Sequence, residues 1–338
     1  MSNTPTSPTE NLGPASWSEL GRLVSLLFFV YLGVNAALGR VLKYHSHNIG
    51  YQTEKTKWRI LRELKSPVDI VILGDSTGNQ GIVPAVLNAR LHCTSLNLCT
   101  NAGGAPNDLW ILDAYIKKFG APRCILLARL FDIGERPPIA KKLVIQLPFN
   151  LWEWSHLKPK PPFTMADWID LVVAKTFPAI PQDSTLSDVC RFPFEFDEKQ
   201  PTFTSDGFRI VFHQDELSFQ NLDPSGFSSK KIPAHLLPEG EKAILAHLSQ
   251  LADQYGFRVY VVNQQFYEKL YDQHLADYLT VLYNDYREYL ADKKRVRVLT
   301  KPILWKKYQM ADPHHVRYPA AFQFTQFLAD ELQEDQTL

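Results

Sequence analysis

The chain has 338 residues, of which 45% are hydrophobic and 12% aromatic, so it holds enough apolar material for a large core. Lysine plus arginine and aspartate plus glutamate both total 36, and the formal net charge is zero. The chain therefore lacks the positive field typical of nucleic-acid-binding proteins, and we expect no nucleic-acid partner. No cluster of cysteine and histidine shows metal-ligand spacing, so we predict neither a metal site nor a cofactor.

The N-terminal region contains a candidate membrane segment. Residues 1–20 are rich in serine, threonine, proline and asparagine, which predicts a mobile tail. An apolar run of 17 residues, Leu23 to Gly39, follows. This length is at the lower end of the roughly 17–25 residues that span a bilayer. We predict a transmembrane anchor over residues 21–40; an uncleaved signal-like segment and a buried amphipathic helix are the alternatives. Residues 41–68 are polar and predict a helical stalk.

A folded domain is predicted to begin at Asp69. The apolar stretch from Ile70 to Leu73 ends in the turn Gly74-Asp75-Ser76. Valine, isoleucine and leucine without alternation are typical of a buried parallel strand. A serine just past such a strand lies at the edge where open α/β sheets bind ligands, which makes Ser76 a candidate nucleophile. The alternative is that the turn only caps a helix.

The second predicted strand leads into a glycine-containing loop. The strand is Leu96–Cys99, and the loop Asn101–Pro106 contains Gly103 and Gly104. A glycine brings its backbone N–H close to a ligand, so one of the two can stabilise a developing oxyanion, and we favour Gly104. The alternative is that both glycines only form the turn before a helix that begins near Asn107.

The third predicted strand, Cys124–Ala128, is followed by an arginine. Arg129 can supply an oxyanion donor or bind an anionic group of a substrate. The alternative is a salt bridge at the end of the strand, with Asp132 as a nearby partner.

Residues 135–235 depart from a compact α/β repeat and predict an insertion. Its first half is rich in proline and aromatic residues over Leu147–Phe163. These side chains can cover the site, stack on sugar rings or form a satellite core under a long loop. Further along, Asp206-Gly207 predicts a hairpin turn without a catalytic role.

Regular α/β periodicity resumes after the insertion. Asn263 and Gln264 directly follow one of the strands there, where their amides can contact substrate or cap the next helix. The alternation predicts a three-layer α/β/α sandwich with a mostly parallel sheet. The predicted elements are the helices Pro238–Gln254 and Tyr278–Leu290 and the strands Arg258–Val262 and Val296–Leu299.

An aspartate and a histidine three residues apart precede the last predicted helix. A serine nucleophile needs a histidine to take its proton and a carboxylate to orient that histidine. Asp312 and His315 have a spacing that allows their side chains to meet on one loop. His314 is the rival base, and His315 is preferred because the apolar Val316 anchors it. The alternative is a solvated loop with two surface histidines.

The two ends of the domain together resemble the SGNH/GDSL hydrolase superfamily. Gly74-Asp75-Ser76 matches its nucleophile block, and Asp312-Pro313-His314-His315 matches its Asp-x-x-His block. The resemblance covers about Asp69 to Leu332. It implies an SGNH-like catalytic domain over 69–332 in which Ser76, His315 and Asp312 form the catalytic triad. It also implies an oxyanion hole from the N–H groups of Ser76 and Gly104.

The overall plan is most similar to the membrane-anchored branch that handles acyl groups on envelope polymers, such as DltD-like and alginate-acetylation proteins. This likeness implies an esterase or O-acyltransferase acting on an acylated glycan, with a membrane-bound acyltransferase as a possible partner. It places the catalytic domain outside the cytoplasm. The basic residues that follow the anchor argue for the opposite orientation under the positive-inside rule.

One block of the superfamily is missing. Gly-x-Asn-Asp, whose asparagine donates to the oxyanion, does not follow the third strand, and Asn107-Asp108 precedes a helix instead. A lost oxyanion donor costs about 100- to 1,000-fold in rate. The alternative function is therefore a weak or inactive scaffold that binds polysaccharide or a membrane acyltransferase. A third reading is a cytoplasmic esterase that acts at a lipid surface.

Overall fold

The structure is a computed structural model, and it describes ten stretches of the chain. They are residues 14–45, 49–100, 105–129, 164–166, 169, 173, 201–220, 232–262, 265–299 and 301–335. The proline- and aromatic-rich part of the predicted insertion lies outside these residues.

Eleven strands lie within the described residues. They are β1 Ile70–Gly74, β2 Ser95–Asn97, β3 Cys124–Ala128, β4 Thr202–Phe203, β5 Arg209–Ile210, β6 Arg258–Val261, β7 Gln265–Tyr267, β8 Val296–Val298, β9 Ile303–Trp305, β10 Met310–Asp312 and β11 His315–Val316.

Nine α-helices have both of their ends within the described residues. They are α1 Pro14–His45, α2 Ile49–Glu63, α3 Ser76–Gly81, α4 Pro84–Leu91, α5 Ala105–Phe119, α6 Glu216–Gln220, α7 Glu239–Tyr255, α8 Gln273–Leu290 and α9 Tyr318–Glu334. The segments Glu268–Leu270 and Lys307–Gln309 are 3₁₀ turns.

Five parallel strands form the central sheet in the order β2-β1-β3-β6-β8. In β1, Val71 pairs with Leu96 of β2 on one side and with Ile125 of β3 on the other. β1 and β3 are buried along their whole length, because helices cover both faces of the sheet. The first and third strands run as predicted, and the second ends at Asn97, two residues earlier than expected.

Alternate residues of each strand enter two separate hydrophobic cores. Val71 and Leu73 pack with α2, α5, α7 and α8 on one face, and Ile70 and Ile72 pack with α4 and α9 on the other. The sheet with its two helical layers confirms the predicted three-layer α/β/α sandwich. The carboxyl ends of all five strands meet at one edge, where such folds place their ligands.

The N-terminal helix α1 is the membrane candidate. Its segment Trp17–Ala37 comprises 21 residues that are long and apolar enough to cross a membrane, and a signal sequence near an N-terminus has the same properties. Leu26 and Phe29 on this segment are more than half exposed. The helix already begins at Pro14, so it includes the last residues of the predicted 1–20 tail.

Helix α2 differs from the predicted stalk. Trp58 and Leu61 are buried in the core beside the sheet, and Glu54 and Lys57 on the same face of the helix are fully buried. The spacing of three and four residues gives α2 one continuous buried face, which includes charged residues. α2 is therefore part of the folded domain, and the expectation of a polar stalk over 41–68 is corrected for this helix.

The short β4–β5 hairpin packs at the edge of the sheet where β1 and β2 end. β4 and β5 pair in antiparallel fashion around the turn at Asp206 and Gly207, as the sequence predicts. Gly207 has φ +88, a conformation that favours glycine. This hairpin contacts the end of β2, where the Asn97 N–H donates to the Asp206 carbonyl at 2.8 Å.

Candidate active site

The turn after β1 has a backbone that only glycine can form. Gly74 has φ +128, and a Cβ at this position would lie 1.7 Å from the carbonyl oxygen of Ala128. Asp75 then caps α3, because its Oδ1 accepts hydrogen bonds from the Thr77 N–H at 2.8 Å and the Thr77 hydroxyl at 2.6 Å. Ser76 is thereby fixed as the first residue of α3.

The Asp-x-x-His segment is a tight antiparallel hairpin of β10 and β11. Asp312 pairs with His315 in the register of the hairpin. The Asp312 Oδ1 accepts hydrogen bonds from the backbone N–H of His314 at 2.9 Å and of His315 at 3.0 Å. The hairpin therefore holds the carboxylate in place before it meets the imidazole.

The structure brings Ser76, His315 and Asp312 together. The His315 Nε2 lies 2.7 Å from the Ser76 Oγ, and its Nδ1 lies 2.8 Å from the Asp312 Oδ2. An Nδ1–H that donates to the carboxylate leaves Nε2 as the acceptor for the serine proton. The His315 side chain is 18% exposed, so the pair is accessible from the edge of the sheet.

The Asp312 carboxylate is stabilised in its ionised form. Burial opposes ionisation, but the hydrogen bond and charge of His315 and the His314 N–H outweigh it, so the pKa of Asp312 is below its ordinary value. The rival base His314 has an exposed side chain, and its backbone N–H donates to Asp312.

Arg129 has the salt-bridge role that the sequence offered as an alternative. Its guanidinium is buried and donates to the Asp108 carboxylate at 3.0 Å and to the Glu241 carboxylate at 2.8 Å. Burial disfavours its charge, but Glu241 and Asp108 raise the pKa of Arg129 above its ordinary value. Both terminal nitrogens face protein carboxylates, so the expectation that Arg129 binds substrate or the oxyanion is corrected.

Three predicted site residues cannot be placed. Gly104, with its rival Gly103, and the amides Asn263 and Gln264 lie outside the described residues, as does Asp132. Their roles remain predictions.

Buried charged residues that sequence reasoning missed lie on α2, and one of them is bonded to the carboxyl end of β2. The Asn107 amide donates to the Glu54 Oε2 at 2.9 Å, and the Lys57 Nζ donates to the Asn97 carbonyl at 2.9 Å. Lys57 also donates to the carbonyl of Gly207, which joins α2 to the β4–β5 hairpin. The sequence did contain a sign that this face of α2 is buried, because the apolar Trp58 lies one helical turn after Glu54. The charged residues around it nevertheless favoured a solvated helix.

Burial perturbs both of these groups. Desolvation raises the pKa of Glu54 to about 8, against the opposing effect of the Thr100 and Asn107 side chains. Desolvation lowers the pKa of Lys57 to about 7, and Cys99 and Glu54 oppose that change. Both groups therefore titrate close to neutral pH.

Within the described residues, no group of three or more histidine, cysteine, aspartate and glutamate side chains could hold a metal ion. The arrangement supplies a hydroxyl nucleophile, a base in hydrogen-bonding contact with it and a carboxylate that orients the base, which are the parts required for acyl transfer.

Comparison with known proteins finds similarity at the level of structure. No protein-family model matches the chain. No curated protein matches its sequence. A solved structure described as "a putative platelet activating factor from Streptococcus pneumonia" shares 12% sequence identity, with 88% of this chain and 99% of that chain covered and a TM-score of 0.41.

Proposed function

We propose that the chain is a membrane-tethered serine esterase or O-acyltransferase that acts on acyl esters, such as acetyl esters, of a cell-envelope or exported polysaccharide. The observation that carries the proposal is the continuous contact from Ser76 through His315 to Asp312, with distances of 2.7 Å and 2.8 Å. A scaffold that kept only the fold has no need to hold an imidazole between a hydroxyl and a carboxylate. This geometry favours the enzyme over the scaffold.

The first half-reaction acylates Ser76. Its Oγ attacks the carbonyl carbon of the ester while its proton passes to the His315 Nε2. Asp312 holds the imidazole in the required tautomer and stabilises the imidazolium that forms. The tetrahedral intermediate then collapses, the bond from carbon to the alcohol oxygen breaks, and the leaving alcohol takes the proton from His315.

The second half-reaction regenerates the serine. Water or a glycan hydroxyl attacks the acyl-Ser76 carbonyl and gives its proton to His315, which returns it to the Ser76 Oγ as that bond breaks. Water yields a free acid, and a hydroxyl yields a new ester. In both halves the proposed oxyanion donors are the N–H groups of Ser76 and Gly104.

A fluorophosphonate probe tests the nucleophile directly. We expect the full chain in detergent to be modified at Ser76, as located by mass spectrometry of its peptides. Ser76→Ala and His315→Asn should abolish labelling. A Ser76→Ala variant with full turnover of p-nitrophenyl acetate would overturn the mechanism.

The substrate class needs a second measurement. Acetylated sugars of defined linkage, offered with and without an acceptor glycan, separate hydrolysis from transfer by the ratio of free acetate to new ester. We expect turnover of at least one O-acetylated sugar, and Ser76→Ala is the matched blank. Labelled Ser76 without turnover of any acylated glycan would contradict the glycan part of the proposal.

The tether and its orientation are tested separately. The apolar helix Trp17–Ala37 supports a single membrane pass, and we propose that the catalytic domain lies outside the cytoplasm, where it could meet a membrane-bound acyltransferase. A phosphatase reporter fused after Leu338 should be active only if that end is exported. An active cytoplasmic reporter in its place would reverse the orientation and favour a lipid-surface esterase.

A further inference from the structure

A buried ionic bridge lies directly behind the nucleophile turn. The side chains of Arg129, Asp108 and Glu241 are 4%, 2% and 3% exposed. Asp108 lies in the first turn of α5, Glu241 lies in the first turn of α7, and Arg129 follows the last residue of β3. One guanidinium thus joins two helices at the edge of the sheet where the triad lies.

The bridge reaches the nucleophile through the backbone of Gly74. The Asp108 carboxylate uses one oxygen for Arg129 and accepts the Gly74 N–H with the other at 3.3 Å. The Gly74 carbonyl accepts the Thr100 N–H at 2.9 Å. The Asp75 N–H donates at 2.9 Å to the carbonyl of Ala128, the residue before Arg129. Of the two residues before Ser76, Gly74 is therefore bonded to the bridge itself, and Asp75 is bonded to the residue next to Arg129.

Stability alone does not account for such a bridge. Moving charges out of water costs several kcal/mol for each ion, and well-packed apolar side chains commonly replace a buried ionic group without loss of stability. What a planar guanidinium adds is direction, because its fork aligns two carboxylates at fixed angles. The direction is imposed here on the turn that carries the serine.

We infer that the Asp108–Arg129–Glu241 bridge positions the nucleophile turn, so that Arg129 acts on Ser76 through Asp108 and the Gly74 N–H. The inference rests on the proposed function, since it assigns these three residues a role in placing Ser76 for attack. They are positioning residues, because their side chains contact one another and the backbone and not the reacting atoms. Arg129 directly follows the third strand, where the superfamily that the sequence resembles has its asparagine oxyanion donor. In this chain the residue at that place supports the nucleophile turn instead.

The test separates an effect on the position of Ser76 from an effect on the stability of the fold. Arg129→Met removes both ionic contacts, and Tyr115→Phe is the matched control. The Tyr115 hydroxyl is bonded to the backbone of Val68 at 2.7 Å and 3.0 Å, beyond the opposite end of β1. For each variant we would measure the rate constant and half-saturation concentration of fluorophosphonate labelling, amide hydrogen exchange of a peptide that spans Gly74, and the thermal unfolding midpoint.

We expect Arg129→Met to lower the labelling rate constant by about 100-fold with little change in the half-saturation concentration. The variant should still bind the probe, but its misplaced serine should attack the probe slowly. Exchange at the Gly74 amide should accelerate. Tyr115→Phe should lower the unfolding midpoint and leave labelling unchanged. Unchanged labelling and exchange in Arg129→Met would overturn the inference, and so would slowing in both variants in proportion to lost stability.

A second variant and the exchange data test the inference even if Arg129→Met does not fold or Ser76 is not labelled. If Arg129→Met does not fold, Glu241→Gln removes one ionic contact with an isosteric side chain, and wild-type labelling and exchange in that variant would overturn the inference. If wild-type Ser76 is not labelled at all, the proposed function fails. Exchange at Gly74 still tests the bridge in that case, because it needs no reaction.

Discussion

The His315 Nε2 lies 2.7 Å from the Ser76 Oγ although the two residues are 239 positions apart in the chain. One contact of the last helix and one contact of the hairpin before it bring them together. The Thr325 hydroxyl accepts the Val83 N–H at 2.9 Å, just after the helix that Ser76 begins. The β10–β11 hairpin, which carries His315, directly precedes this helix and packs against α3. The distance between base and nucleophile thus depends on the packing of both α9 and the hairpin against α3.

Asp312→Asn should retain the fold and lose most of the activity. The asparagine no longer stabilises an imidazolium, and it favours the tautomer of His315 whose Nε2 carries a proton and cannot accept one from Ser76. We expect kcat for p-nitrophenyl acetate to fall by about 1,000- to 10,000-fold. Circular dichroism would verify the fold. A loss below tenfold would show that Asp312 does not orient the base.

His314→Asn tests which of the two histidines is the base. The His314 side chain is exposed, and the backbone N–H that binds Asp312 remains in the variant. We therefore expect a loss below about tenfold, against a loss of about a million-fold for the loss of a true general base. The measurement is kcat for the same ester. Equal losses in His314→Asn and His315→Asn would contradict the assignment of His315.

The sheet and the pairing of Asp312 with His315 could be predicted from the sequence because each has a local signature. Unbroken apolar runs such as Ile70–Leu73 occur where a strand is buried on both faces, and the resulting prediction of a three-layer fold is confirmed. The spacing of Asp312 and His315 corresponds to a tight hairpin in which three residues are enough for contact. Neither signature depends on distant parts of the chain.

The partners of Arg129 and the burial of α2 could not be predicted, because the groups that they contact are distant in sequence. The bridge from Arg129 to Glu241 spans 112 positions, and the bond from Lys57 to the Gly207 carbonyl spans 150. A charged side chain in an isolated helix is most simply solvated, and only tertiary contacts make its burial tolerable. Local composition therefore favoured the nearer partner Asp132 for Arg129 and a stalk for α2.

Truncation should show where the folded domain begins. A chain starting at Asn48 lacks α1 but keeps α2, and we expect it to leave the membrane fraction and retain fluorophosphonate labelling. A chain starting at Ser66 also lacks α2, whose buried Trp58 and Leu61 each contribute about 1.5–3 kcal/mol. We expect it to lose at least about 3 kcal/mol in urea unfolding. Equal stability of the two chains would contradict the correction to the stalk.

Glu54→Gln should alter how stability depends on pH. Burial raises the pKa of Glu54 from 4.5 to about 8, so its contribution to stability is present below pH 4.5 and is lost as pH rises through 8. Glutamine keeps an acceptor oxygen for Asn107 and does not titrate. We expect the variant to gain up to about 1.4 kcal/mol over wild type for each pH unit between pH 5 and 7.

In that window Lys57, with a pKa of about 7, keeps most of its proton. Burial raises the pKa of Asp108 to about 7, so Asp108 titrates there too, but it is present in both chains. Urea unfolding of the full chain at intervals of half a pH unit gives the difference. Glu239→Gln is the control, since this side chain is 89% exposed, and its curve should run parallel to that of wild type. A parallel curve for Glu54→Gln as well would show that Glu54 does not titrate in this range.

Thr325→Val should loosen one of the contacts on which the distance between base and nucleophile depends. The Thr325 hydroxyl accepts the Val83 N–H at 2.9 Å and donates to the Ala321 carbonyl at 2.7 Å, and its loss leaves the Val83 N–H buried without that partner. We expect a cost of about 1–3 kcal/mol in urea unfolding and slower labelling of Ser76. Thr280→Val is the matched control, because this exposed hydroxyl makes only the equivalent bond within its helix, to the Ala276 carbonyl at 2.8 Å. Equal, small effects of the two substitutions would show that α9 does not hold the site together through Thr325.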